Sequence, residues 1–531
     1  MVTSRTKELL ASALIAPCLA FTSALAAGQM LLQPKTMREL GVVDPRFVSF
    51  NVEAVEVTGG RFWKPYKNNG HAPNATNPVD KANQNQPAGL DAGLFQYRPP
   101  IDLSNSKLRK LANALSPAFL RVSGTWRNST YFQNDDLPAK ATPPMGFKGV
   151  MTRAEWKGVV DFARAINADL VTSVAISAGT RNSDGIWTPD QAKSFFEYTK
   201  SIGGHITATE FMNEPTFAVI GGAPRGYSAA DFARDVKIFA GFLRKESPDT
   251  LFLGPGSIGE GVSMMPGAPM PNVLKTEDIL RSTGPIFDVF SYHFYANLSR
   301  RCTGPKAAMD PEQTLRASWL QRNLTAEVFY AQLRDEFMPG KPIWLTETGE
   351  AACGGDPWAA EFLDSFRFMD QLGSLAQKGV KTVMVNTLAS SDYGLLDEET
   401  LDPRPDYWAA LLWKHTMGTH VLDPGIDLGP HTRVYAQCSA HQDGAVTVLV
   451  INLDKTADQV IEVPISGEQY SLTATNVMSR AVALNGADLH LTTDGGLPSI
   501  TGKPFRKGRL RLAPLSINFL VFAKAHNSSC T

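Results

Sequence analysis

Ile206-Thr207-Ala208-Thr209-Glu210-Phe211-Met212-Asn213-Glu214-Pro215 reads as one short β-strand that stops on polar Asn213 and Glu214 and is broken by Pro215. Working outward, seven more short apolar runs share its texture: residues 47–53, 117–122, 170–175, 250–253, 286–292, 342–346 and 381–386. Helical spacing fills the gaps. Residues 102–115 end at Ser116-Pro117, and 152–166 place Trp156, Val159, Val160, Phe162 and Ala163 on one side. Residues 188–202 open on Thr188-Pro189, where proline suits a first helical turn. Strand–helix alternation means a parallel sheet, either doubly wound or closed. The count of eight, with polar residues at nearly every strand's C-terminal end, predicts a (β/α)8 barrel.

After the barrel the texture changes. Residues 433–437, 445–452, 459–463, 489–493 and 517–522 read as short strands between Gly, Asp and Asn turns, which predicts a β-sandwich. The expected organisation is therefore a signal peptide at 1–26, a segment at 27–41 that joins the sandwich, a catalytic barrel at 42–415 and a sandwich at 416–531. The signal rests on a basic start at Arg5 and Lys7, an apolar stretch over 9–25 and an Ala24-Leu25-Ala26 cleavage site. It predicts a secreted or periplasmic protein that no longer touches the membrane once cleaved.

Composition narrows the partners. The chain is 43% hydrophobic and 19% charged, an ordinary globular balance with apolar mass for a large core. The 51 basic and 52 acidic residues leave a net charge of −1, and no long run of one sign appears. Bulk electrostatics thus gives no reason to expect nucleic acid or an anionic membrane as partner, and an anionic substrate needs local recognition. Past the signal, Cys302, Cys353, Cys438 and Cys530 make an even set, enough for two disulfides in three pairings. No zinc spacing accompanies them.

A barrel mounts chemistry on the C-terminal ends of its strands. Glu214 ends the fourth strand and Glu347 the seventh, in Trp344-Leu345-Thr346-Glu347-Thr348. Retaining glycosidases need two carboxyls about 5–5.5 Å apart, one protonated and one ionised. The arrangement is similar to that of the large barrel clan whose acid/base follows an Asn on strand 4, which implies Glu214 as acid/base, Glu347 as nucleophile and Asn213 on the sugar 2-OH. Glu210 lies deeper and reads as a buried partner of a barrel arginine, and Glu350 as a loop residue. Arg121, inside strand 2, is the expected charge partner of Glu347. His293 and Tyr295 end strand 6, where a tyrosine can hydrogen-bond the nucleophile. No metal or organic cofactor is expected.

From about residue 48 to Cys530 the chain resembles glycoside hydrolase family 79, the heparanase and β-glucuronidase family. The resemblance is carried by Glu210-Phe211-Met212-Asn213-Glu214-Pro215, Trp344-Leu345-Thr346-Glu347-Thr348, Cys353-Gly354-Gly355 and His293-Phe294-Tyr295. Asp392-Tyr393-Gly394-Leu395-Leu396-Asp397 with Asp402-Pro403-Arg404-Pro405-Asp406-Tyr407-Trp408 is its most diagnostic part, and Arg433–Cys438, Leu484–Gly486 and Cys530 extend it. The resemblance implies that Glu214 donates the proton and Glu347 attacks. It implies that Tyr393 and the backbone N–H groups of Cys353 and Gly354 bind a uronate carboxylate, and that Glu53, Asn213 and Thr125 meet the hydroxyls. The family has Gly where Cys353 stands, and its mammalian members have Asp where Glu53 stands. A Cys438–Cys530 bridge is also implied, which leaves Cys302 with Cys353.

The expected activity is a retaining β-glucuronidase on glycosaminoglycan-type polysaccharides, heparanase-like and endo-acting on heparan sulfate. An exo-acting β-glucuronidase and a clan glycosidase of neutral glycans are the alternatives. Only about 25 residues separate Arg127 from the next helix, where mammalian heparanase carries an excised linker, so a single-chain enzyme is expected. Residues 59–97 read as an insertion with Trp63 and Tyr66, able to close a cleft into a pocket. Arg300 and Arg301 read as sulfate partners or solvated charges. Sequons stand at Asn74, Asn128, Asn297, Asn323 and Asn527.

Overall fold

A computed structural model describes residues 31–66, 87, 90–264, 273–304 and 309–531. The expected signal peptide, Asn74 and most of the 59–97 insertion lie outside them.

Eight parallel strands close into a barrel: Val48–Glu53, Ala118–Ser123, Ala168–Ser173, Ile206–Glu210, Leu251–Ser257, Val289–Tyr295, Ile343–Gly349 and Val383–Val385. Each matches an expected run, with ends shifted by a few residues. The sixth begins and ends three residues later than read, so His293 and Tyr295 lie inside it. The helix expected over 102–115 spans only Ser106–Asn113, because Asn105 caps it through Lys107 N–H and Leu108 N–H. Arg153–Ala165 starts where Thr152 and Glu155 form a reciprocal capping box.

The barrel interior is layered. Phe119, Val171, Ala208, Leu253, Val289, Trp344 and Met384 fill its lower part as an apolar plug, with the Phe119 and Trp344 rings 4.9 Å apart. Two residues further along strands 2 and 4, the same inward alternation presents Arg121 and Glu210. Strand 7 adds a bulge. Tyr292 pairs with Leu345 but His293 pairs with Glu347, so Thr346 is the extra residue. Bulges re-aim side chains beside active sites. Here Thr346 Oγ1 donates to Glu210 Oε1 at 3.0 Å, and the next residue, Glu347, also turns inward to meet Arg121.

The C-terminal region forms a nine-stranded antiparallel sheet and a two-stranded ladder, Gln459–Val463 with Gly508–Leu512. Alternation sorts the large sheet's faces. Ala436, Cys438, Val446, Val448, Val450, Leu520 and Phe522 pack with Ile461, Val463 and Leu512 of the ladder, an unequal sandwich. Leu449, Ile451, Ile517 and Phe519 join the barrel's core instead. Helix Phe362–Gln377 is caught between barrel and sheet and is buried from Phe362 to Ala376, so even its polar stripe of Asp364, Arg367, Gln371 and Ser374 is bonded inside the protein. Glu39–Val42 pairs with Met417–Leu422 at the sheet's edge. One expected strand fails: residues 489–493 are irregular, and Ala483–Leu484 with Ala487–Asp488 form a short hairpin before them. Strands Gly467–Thr473 and Gly508–Leu512 went unread because Gly, Glu and Arg interrupt their apolar alternation.

Two disulfides join Cys302 to Cys353 and Cys438 to Cys530. Asn128, Asn323 and Asn527 are buried and hydrogen-bonded inside the protein, which is incompatible with glycans at those sequons. Among the described residues, no helix is long and apolar enough to cross a membrane.

Candidate active site

At the C-terminal mouth of the barrel lies a cavity of about 340 Å³. Of the residues singled out from sequence, Glu53, Thr125, Asn213, Glu214, Tyr295, Glu347, Cys353 and Tyr393 line it. Arg121 and His293 lie beneath its floor, and Gly354 sits behind Cys353.

The floor is built on Arg121, which is buried. Its guanidinium donates to Glu210 Oε2 at 2.8 Å, to Glu347 Oε2 at 2.9 Å and to Asn213 Oδ1 at 2.8 Å. One fork therefore fixes residues from strands 2, 4 and 7 together. Burial alone disfavours the Glu210 carboxylate, but Arg121 and His293 outweigh it and bring its pKa down to about 2. Glu210 is thus a fixed negative charge under the site.

His293 couples the two candidate carboxyls. Its Nδ1 lies 3.1 Å from Glu214 Oε1 and 3.7 Å from Glu347 Oε2, and its Nε2 lies 3.9 Å from Glu210 Oε1. Burial opposes its charge, yet the surrounding glutamates win and raise its pKa to about 9. An oxygen of Glu214, a nitrogen of His293 and an oxygen of Glu347 lie within 4.8 Å of one another. That spacing fits a divalent cation, but the imidazole would first have to give up the proton its neighbours stabilise. It also fits the approach of two carboxyls across one scissile bond.

The two glutamates differ in environment. Tyr295 Oη donates to Glu347 Oε1 at 2.8 Å, so Glu347 accepts from both Tyr295 and Arg121. Glu214 has no arginine of its own. Burial raises its pKa, with the Glu347 charge adding to the rise and His293 opposing it, so the protonated acid is favoured. Glu214 also sits at φ +50°, a left-handed conformation that a non-glycine residue adopts at a cost of about 1–2 kcal/mol. Such strain concentrates where a side chain must be aimed.

Glu53 is more strongly affected. Burial and then the Glu347 charge push its carboxyl well above the usual range, and Oε2 has no hydrogen-bond partner. Gly124 permits this placement: at φ +91°, a Cβ there would sit 1.5 Å from Glu53 Oε2. Asn386, at the end of strand 8, was not singled out from sequence. Its Nδ2 lies 3.2 Å from Glu53 Oε1, 3.0 Å from Tyr295 Oη and 3.1 Å from Tyr393 Oη, so it spaces three cavity groups. Its position at a barrel strand end was the available signal.

The loop after strand 7 closes one wall. Cys353 stands at φ +67° and Gly354 at φ +83°, which explains why glycine suits position 353 in the resembling family. Arg301 braces the loop. It donates to the carbonyls of Cys353 and Gly355, pairs with Asp392 Oδ2 at 2.7 Å and lies 4.3 Å over the Tyr66 ring. This corrects its reading as a sulfate partner or solvated charge: its side chain is only 5% exposed and already committed. Glu350 is in a loop as expected but buried, accepting from Asp356 N–H at 2.7 Å. Trp63, at the start of the expected insertion, is packed in place: it stacks on Phe95 at 4.7 Å, with Trp126 edge-on at 6.1 Å.

A closed parallel barrel with paired carboxyls at its mouth defines the class of barrel glycoside hydrolases. The overall fold is similar to solved structures such as "The crystal structure of Arabinofuranosidase", at a TM-score of 0.60 and 13% identity over 93% of this chain and 99% of that one. The sequence profile described as "Glycosyl hydrolase family 79, N-terminal domain" matches residues 75–373, more than half of the chain. The chain belongs to glycosyl hydrolase family 79 and is a glycoside hydrolase. It is 27% identical to "Heparanase-like protein 1" of Arabidopsis thaliana over 86% of this chain and 90% of that protein. It is 28% identical to "Baicalin-beta-D-glucuronidase" of Scutellaria baicalensis over 79% of this chain and 83% of that protein.

Proposed function

We propose that the protein is a retaining β-glucuronidase whose acid/base is Glu214 and whose nucleophile is Glu347. The observation that carries this is the approach of the Glu214 and Glu347 carboxyls to within 4.8 Å of each other, in environments that favour a protonated Glu214. Glu347, oriented by Arg121 and Tyr295, attacks the anomeric carbon while Glu214 gives its proton to the departing oxygen. Water then breaks the glycosyl–Glu347 ester, with Glu214 taking the proton back. The Tyr393 hydroxyl and the N–H groups of Cys353 and Gly354 bind the uronate carboxylate, which needs no net protein charge. Glu53, held as a neutral acid, donates from its unpartnered oxygen to a sugar hydroxyl, and Thr125 and Asn213 meet the others. The names of the relatives, a heparanase-like protein and a glucuronidase, support a glucuronide substrate.

Endo-acting cleavage within a polymer and exo-acting removal of a terminal glucuronic acid are the two modes of this reaction. The two disulfides fit the expected secreted or periplasmic setting. The deciding assay compares an aryl β-glucuronide with the matching β-glucoside; faster turnover of the glucoside overturns the uronate reading. Size profiles of heparan sulfate digests then separate the modes, since an endo-acting enzyme shortens the polymer before free glucuronate accumulates.

A further inference from the structure

The cavity changes character from one end to the other. Around Glu347 it is polar, through Glu53, Tyr295, Asn386 and Tyr393. On the side of Glu214 it is apolar: Trp126, Phe217, Ile220, Ile258, Met264 and Leu298 form the wall. None of the described lining residues is lysine or arginine. The nearby Arg301 is spent on Asp392 and backbone carbonyls, and Arg300 lies 5.2 Å over the Tyr66 ring.

The chain sets this wall against the acid. Glu214 runs directly into the turn Pro215–Phe217, and Ile220 follows three residues later. Thr216 Oγ1 bonds the carbonyl of Ile258 at 3.0 Å, which brings the strand 5 loop alongside. Leu298 N–H reaches the Met264 carbonyl at 3.3 Å, joining the strand 5 and strand 6 loops there. Because Glu214 protonates the oxygen that leaves, the leaving group must lie on this side. Ile220 remains 39% exposed although it is a large aliphatic residue, and it gains most if a ligand covers it.

We propose that the leaving-group subsite accepts a neutral, apolar aglycone, aryl or alkyl, in preference to a sulfated or carboxylated sugar. Among the described residues this wall offers an anionic aglycone no lysine or arginine, so such a group would be desolvated at a cost; the cation beside it, Lys148, lines the adjoining recess past Trp126 and Ile220. An apolar one is favoured by about 0.8 kcal/mol for each methylene removed from water, roughly a fourfold gain each. The inference rests on the β-glucuronidase reading and deepens it.

The test uses the full-length enzyme on methyl, butyl and octyl β-glucuronides, whose alcohols are similar leaving groups, so differences report binding to the subsite. The expected result is a rise in kcat/KM of about tenfold or more from methyl to butyl, levelling towards octyl as the wall is filled. Ile220→Asp, at the exposed rim, is expected to collapse the butyl-to-methyl ratio, which is read within one preparation and is independent of the folded fraction. A glucuronide of a sulfated glucosamine is expected to be slower than the butyl compound. A flat alkyl series, an unchanged ratio in the variant, or a faster sulfated substrate overturns the proposal. If only glucosides are hydrolysed, the uronate reading falls separately; the alkyl glucosides then carry the same test, and a flat series among them overturns the subsite.

Discussion

His293 Nδ1 lies 3.1 Å from Glu214 Oε1, so a histidine from strand 6 bears directly on the protonation of the acid from strand 4. Burial raises the Glu214 pKa and His293 opposes the rise. Activity needs the protonated acid, so kcat/KM is expected to fall on the alkaline side as Glu214 ionises, at a pH above the ordinary carboxyl range. Replacing His293 by Asn removes the cation that favours ionisation. The alkaline limb is therefore expected to move to higher pH. A limb that stays in place in the variant means that another group sets it.

The same histidine predicts a stability trend. Its pKa rises from 6.5 in the unfolded chain to about 9 in the folded protein. A group raised by folding contributes stability that is complete below the unfolded value and is lost as pH rises through the folded one. Denaturant midpoints are expected to fall between pH 6.5 and 9, and His293→Asn is expected to flatten that fall. Equal slopes in both proteins would sink the assignment of this term to His293.

Glu347 and Glu214 should separate kinetically. Glu347→Gln removes the attacking oxygen and is expected to abolish turnover of all glucuronides. Glu214→Gln removes the proton donor and should cost about 10²–10⁴-fold with a poor leaving group. It should cost far less in the first step for a nitrophenol, which leaves without protonation. Nuclear magnetic resonance of the first-formed sugar is expected to show retention. Inversion, or comparable losses for both variants across leaving groups, contradicts the roles.

Much of the architecture was readable because it follows from periodicity. The Ile206–Glu210 strand and its seven partners are short apolar runs, and a barrel needs them at regular intervals. Glu214 and Glu347 were readable because they follow such apolar runs in sequence, although Glu214 lies four residues past the fourth strand and Glu347 inside the seventh. What escaped depends on contacts distant in sequence. Nothing in Thr346-Glu347 announces the bulge that turns both inward, since it is defined only against His293. Asn386 acts through Glu53 and Tyr295, which come from strands 1 and 6, and through Tyr393, seven residues along its own loop. Arg301 read as a loop charge because its partner Asp392 is 91 residues away. Strand 489–493 was misread because alternation alone also describes an irregular segment beside a hairpin.

Gly124 gives a compact test of the substrate wall. A Cβ there would collide with the Glu53 carboxyl, and the backbone at φ +91° disfavours any L side chain. Gly124→Ala is expected to displace Glu53 and lower kcat/KM about 10²-fold, the order expected for an ångström-scale misplacement. Circular dichroism should remain that of the wild type, because the change is confined to the barrel mouth. Near-normal kcat/KM in a folded Gly124→Ala protein would remove Glu53 from the substrate contacts.

The Cys302–Cys353 bridge makes the last prediction, because it holds a cysteine in a conformation that favours glycine. The bond spans 51 residues, and chain-entropy arguments give about 4 kcal/mol for a loop of that size. Both cysteines line the cavity, and Cys353 carries one of the amides assigned to the uronate. Cys302→Ser leaves Cys353 at φ +67° with nothing covalent to hold it, so KM for a glucuronide is expected to rise more than kcat falls. Cys302→Ser combined with Cys353→Gly restores the residue suited to that backbone and is expected to recover KM, though not the lost stability. Cys302→Ser with Cys353→Ala lacks both the bond and the freedom and should bind worst. If all three variants share one KM, the bridge stabilises the fold without shaping the anion-binding loop.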